Sequence, residues 1–127
     1  MNWKDVLKAP LPTNVGQQRD KRHRQSIVDY EKDIIEPKLT NYFDKQPSGT
    51  ELRFNIKVHD TNVYPNDRFV TTNPPTYNVG LSTVLKLGDN AEFILKVIAE
   101  IYEKEGYQVK RTSRNEINIE VKDDGTP

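Results

Sequence analysis

Few side chains in this 127-residue sequence are suited to proton transfer near neutral pH; the two histidines are His23 and His59. His59 is followed by Asp60, and a carboxylate beside an imidazole is able to orient it for acid–base work. A solvated histidine at a strand end carries the same pair, and no second convergent group stands near it in the sequence. His23 lies in a basic stretch. There is no cysteine, which excludes disulfides, thiol catalysis, Cys-ligated zinc and iron–sulfur clusters. The six glycines are scattered, so no phosphate-cradling loop is present, and no serine stands in a nucleophile elbow. Asp123 and Asp124 are two adjacent carboxylates and do not by themselves make a cation cage. The expectation is a non-catalytic chain with no cofactor and no metal.

Charge points toward binding. The net charge is zero, so nothing pulls the whole chain toward nucleic acid or an anionic membrane. Its distribution is uneven. Residues 1–26 carry six basic against two acidic side chains, a net of +4, which the remainder balances with −4. Within that segment Arg19, Lys21, Arg22 and Arg24 form a compact basic run, a candidate phosphate-binding group. Lys110, Arg111 and Arg114 form a second cluster. No aromatic residues interleave with either, so stacking on bases is not implied. A solvated linker, or a steering charge for a protein partner, accounts for the same run.

Two groups of apolar residues are candidate contacts. Trp3, Val6 and Leu7 recur at helical spacing just before Pro10 and Pro12. They suit a short helix that docks in a partner's groove, and equally one that folds back on its own domain. Tyr64, Phe69 and Tyr77 stand in a stretch rich in Pro and Asn. They suit a contact surface, and equally a cover for the edge of the core.

The elements that would position these residues follow from periodicity. Ser26 with Asp29 resembles a capping box. The apolar residues from Ile27 to Phe43 keep one helical face across Pro37, which predicts a kinked but continuous helix. Residues 51–59 alternate strictly, with Leu52, Phe54, Ile56 and Val58 on one side, and predict a half-buried strand. Residues 60–78 read as a long loop with a short strand at Arg68–Thr71. Residues 79–87 alternate through Val79, Leu81, Thr83, Leu85 and Leu87, which predicts another strand. A helix over 90–105, capped by Asp89 and closed by Gly106, carries the widest apolar stripe. In the final hairpin, inward residues must face inward residues. That pairs Val109 with Ile119 and Tyr107 with Val121 across a three-residue loop, Ser113-Arg114-Asn115, with Asn115 left-handed.

The fold expected is α+β, with two main helices packed on one face of a small, mostly antiparallel sheet. Residues 1–25 read as a flexible basic N-terminal arm, 26–122 as the domain, and 123–127 as a loose tail. No apolar run is long enough to span a bilayer, and the opening residues lack a signal peptide's apolar core, so the expected location is the cytoplasm. The opening Met1-Asn2-Trp3-Lys4-Asp5-Val6-Leu7-Lys8 resembles the openings of small uncharacterised proteins of phages, archaeal viruses and marine microbes. That resemblance covers about ten residues and implies a virus-encoded or accessory protein, with no activity attached. Function therefore reads as a non-catalytic interaction protein acting through the arm and the 60–78 loop. The alternative is a nucleic-acid-binding accessory protein using the basic arm.

Overall fold

The computed structural model describes residues 23–88 and 90–121. From residue 23 the chain is helical through Asp44, a stretch labelled α1: α-helix over 23–30, a π turn at Glu31–Ile35, and α-helix at Glu36–Asp44. Ile27, Glu31, Ile35 and Leu39 recur every fourth position and all are buried. A regular α-helix drifts about 40° for each such step. The π turn takes up this drift: the Glu36 N–H reaches back five residues to the Glu31 carbonyl. Pro37 lies just beyond, inside the second α-helical segment, where the change of hydrogen-bond register accommodates its missing N–H. The helix thus runs past Pro37, as its apolar phase implies. Its start differs from expectation. Residues 23–25 are already helical, so Ser26 is interior and is not the N-cap. Packing of Ile27, which is fully buried, outweighs the local cap signal.

β1 (Arg53–Val58) alternates as its sequence requires. β2 (Arg68–Val70) is the short strand expected in the loop, and it pairs antiparallel with β3 (Thr76–Val79). The strand expected over 79–87 is corrected. Only Val79 belongs to β3, and Leu81–Leu87 is a helix, α2. Short apolar runs fit both periods. Here the three-residue spacing of Val84 and Leu87 is buried, while Leu85 is 70% exposed. Gly80 supplies an extended N-cap, and Gly88 ends the helix at φ 71°. The first N–H groups of α2 are satisfied by the preceding loop: Leu81 donates to the Tyr64 carbonyl and Ser82 to that of Pro65, each at 2.9 Å.

α3 (Ala91–Lys104) is the expected long helix. Its cap is Asn90, one residue later than the sequence reading: the Asn90 Oδ1 accepts from the Phe93 N–H at 2.9 Å. β4 (Tyr107–Ser113) and β5 (Glu116–Val121) form the final hairpin, with Val109 opposite Ile119 and Tyr107 opposite Val121 as parity demands. The turn is tighter than expected. A bulge between Arg111 and Ser113 places Ser113 opposite Glu116. Arg114 and Asn115 therefore make the turn, and no described non-glycine residue, Asn115 included, has positive φ.

The five strands lie in the order β2-β3-β1-β5-β4; β1 is parallel to β3, and the other neighbours are antiparallel. Side chains from one face of the sheet, among them Phe54, Ile56, Tyr77, Val79 and Ile119, join the buried sides of α1, α2 and α3 in one core. This is an α+β fold with its helices on a single face.

Candidate functional site

Trp3, Val6, Leu7, Arg19, Lys21, Arg22 and the Asp123-Asp124 pair lie outside the described residues. Arg24 lies within them and belongs to α1, not to an arm; its guanidinium is ion-paired with Glu100 on α3. The 60–78 aromatics are engaged inside the fold. Tyr77 is fully buried on β3, so it is a core residue and not an exposed contact. Phe69 is half-buried, its ring centroid 5.5 Å from Tyr42 and 6.3 Å from Tyr77. Tyr64 stacks on the His59 ring at 3.9 Å.

His59 is a clamp at the end of β1. Its Nε2 lies 2.8 Å from the Asn78 Oδ1, an atom that can only accept, so Nε2 carries the hydrogen. Asp60 turns away toward Arg114, at 3.3 Å. The acid–base pair suggested by adjacency in sequence is therefore replaced by two separate structural contacts.

Two further polar groups are drawn into the protein by pairs of elements distant in sequence. Asp67 accepts through Oδ1 from the Gly80 N–H at 2.7 Å. Its Oδ2 accepts from Tyr77 at 3.1 Å and from Tyr30 on α1. Burial, followed by hydrogen bonding to Asp67, pushes the Tyr30 phenol far above its ordinary range. Burial does the same at Tyr77, partly opposed by its bond to Tyr30. Both phenols stay protonated, so this group ties the loop to α1 and α2 and offers no mobile proton. In the π turn, buried Glu31 accepts from the Tyr102 hydroxyl. Burial raises the Glu31 carboxyl; the Tyr102 hydrogen bond pulls it down, and Glu36 and Glu105 push it up. No cluster of three or more His, Asp or Glu side chains among the described residues is arranged to hold a metal ion.

A cavity of about 720 Å³ runs between α3 and β4 over Phe93, Val109 and Ile117. Its rim mixes Lys96 and Arg111 with Glu92 and Glu103, so it selects neither sign of charge.

The other surface is the face of the sheet opposite the core; at its Asn78 end it is capped by His59 and the Tyr64 ring stacked on it. The register fixes its occupants row by row. The central row reads Lys110, Asn118, Asn55, Thr76 and Val70 from β4 to β2. The row on one side holds Glu116, Lys57, Asn78 and Arg68, and that on the other Gln108, Glu120 and Arg53. The amides form a ladder: the Asn118 Nδ2 donates to the Asn55 Oδ1 at 2.8 Å, and the Asn55 Nδ2 to the Thr76 Oγ1 at 3.5 Å. Arg53 and Lys110 bracket Glu120 at 3.8 and 3.9 Å. Four cations thus face two carboxylates here, although acidic side chains outnumber basic ones over the described residues as a whole. Alternation within residues 51–59 puts Arg53, Asn55 and Lys57 on the solvent side of β1 and says nothing of their neighbours. The recurrence of outward asparagine at 55, 78 and 118 was the available signal, but it acquires meaning only once β3 and β5 are known to flank β1.

No protein-family model, no curated protein and no solved structure matches the chain. No helix among the described residues is long and apolar enough to cross a membrane.

Proposed function

We propose that this chain is a non-catalytic binding protein whose working surface is the helix-free face of its sheet. The observation that carries the reading is the segregation of side chains by face. The strand residues turned toward the helices build the core. Those turned away are polar or charged at every position except Val70. A sheet face covered only at its Asn78 end by His59 and Tyr64, yet holding an ordered amide ladder and an excess of cations, suits recognition of a polar partner. This shifts the binding surface from the loop aromatics, which the fold consumes, to the strands. The basic run at Arg19, Lys21 and Arg22 adds charge that steers a partner of the same kind.

The test is capture from an extract of the cell that makes the protein, using the full chain. Arg53→Glu with Lys110→Glu should preserve the melting temperature and lose the captured partner. A control pair on α3, Glu103→Lys with Lys104→Glu, should lose nothing. Equal capture by both pairs would rule the face out.

A further inference from the structure

We infer that the ligand of this sheet face is single-stranded nucleic acid, held by phosphate contacts at its cations and read by its amides; this rests on the reading of the face as the working surface. Arg53, Lys57, Arg68 and Lys110 lie on three strands rather than along one ridge. Five strands give a surface roughly 19 Å wide at the usual strand spacing. That is too broad to enter a duplex major groove, about 12 Å across, which admits one helix or a two-stranded ribbon. An unpaired strand, by contrast, can lie flat on a sheet and turn its base edges toward it.

Chemistry at the centre of the face supports the same ligand. A primary amide offers two N–H donors and two acceptor lone pairs. The ladder from Asn118 through Asn55 to Thr76 uses one donor of each asparagine and one acceptor of Asn55. The remaining valences of Asn55, which is only half-buried, are able to meet base edges or sugar hydroxyls. The cations flank this row: Lys110 ends it, Lys57 and Arg68 lie on one side, and Arg53 on the other. Their exposure suits mobile phosphate contacts; the Arg53 and Lys110 side chains are 49% and 62% exposed. Glu120, held between those two, is the acid whose charge they already offset. No aromatic side chain occupies a strand position of this face, and the rings at its Asn78 end, His59 and Tyr64, are stacked on each other. The expected affinity is therefore modest, salt-sensitive and weakly dependent on base identity, because stacking does not contribute.

The experiment uses the full chain and fluorescein-labelled 20-nucleotide DNA and RNA single strands, with the matching DNA duplex, followed by anisotropy from low to moderate salt. Four phosphate contacts on a single strand give a log–log salt slope of about −2.8, or about a 50-fold loss of affinity between 50 and 200 mM salt. Each charge removed by Arg53→Gln, Lys57→Gln, Arg68→Gln or Lys110→Gln should make that slope shallower by about 0.7, while melting stays unchanged. Equal or tighter binding of the duplex overturns the single-strand assignment. Single-strand binding that ignores all four substitutions but disappears when Arg19, Lys21 and Arg22 become Gln overturns the assignment to this face. If no oligonucleotide binds, while the face variants still lose the partner captured from extract, the ligand class is wrong and the face reading stands. If neither changes, both are wrong.

Discussion

Tyr102 on α3 donates its hydroxyl hydrogen to Glu31 in the π turn of α1, joining residues 71 positions apart within the core. The π turn is what brings Glu31 into the stripe occupied by Ile27 and Ile35. Burial is the largest influence on its carboxyl and raises it. The native state therefore holds this proton more tightly than the unfolded chain does. The resulting stabilisation is complete below the ordinary glutamate range, near about 4.3, and is lost as pH rises through the raised native value. Glu31→Gln removes that titration and keeps an acceptor for Tyr102. Urea melts at a series of pH values rising from the ordinary glutamate range should show the parent losing stability as pH rises and the variant losing less. Glu105, raised in the same direction mainly by burial, leaves a residual slope. Identical pH dependence in the two proteins would show that Glu31 ionises in the native state without cost.

Gly80 is required by space, not by its dihedral angles. Its φ of −82° is open to any residue, but a Cβ there would lie 2.3 Å from the Asn66 carbonyl carbon. Backbone cannot rotate aside as a long side chain can. Gly80→Ala must therefore push residues 64–67 off the start of α2, where they satisfy its N–H groups. A loss of about 1–3 kcal/mol is expected, as for an overpacked site. Denaturant melts measure it, and amide exchange should show Leu81 and Ser82 exposed first.

Asp67 holds three donors, those of Gly80, Tyr30 and Tyr77. Asp67→Ala strands the Gly80 N–H and one phenol, because Tyr30 can still donate to Tyr77 at 3.0 Å; the cost is roughly 1–3 kcal/mol for each buried donor left unsatisfied and less than additive. Asp67→Asn keeps the acceptor for Gly80, and the phenols are able to rotate to accept from the new amide, so it should retain most of the stability. Thermal melts of the two variants should rank parent, Asn, Ala. A substitution to Asn as damaging as that to Ala would mean that the charge, not the geometry, holds the loop.

What was legible in the sequence were the features set by local period and parity. Strand β1, helix α3 and the hairpin register followed from the alternation or stripe of their own residues. Helix α2 did not, because seven residues of mixed apolar pattern satisfy both periods, and the deciding contacts come from Tyr64, Pro65 and Asp67 in another segment. Pro74 and Pro75 mark a loop just before Tyr77, yet β1 accepts β3 as a parallel neighbour directly after them: the Asn55 N–H bonds the Pro75 carbonyl at 2.9 Å. The open face was visible only in halves. Which outward residues become neighbours is set by strand order, and no single strand encodes it.

The amide ladder makes the last prediction, which separates stability from binding. Asn118 is 6% exposed and donates to Asn55. Asn55→Val removes that acceptor and leaves a nearly buried N–H unsatisfied, at about 1–3 kcal/mol. Asn118→Val alone removes the donor instead and should cost less, since half-buried Asn55 can turn to water. Replacing both with valine removes the polar pair together, and β-branched residues suit adjacent strands. The double variant should then be close to the parent in denaturant melts, giving a coupling of about 1 kcal/mol or more in the cycle. Oligonucleotide affinity should behave differently. Both variants lacking Asn55 should bind more weakly by a similar factor with an unchanged salt slope, because the phosphate contacts remain while a base-reading amide is gone. If affinity instead tracks stability through the cycle, the ladder is a structural feature of the sheet and the cations alone carry the binding.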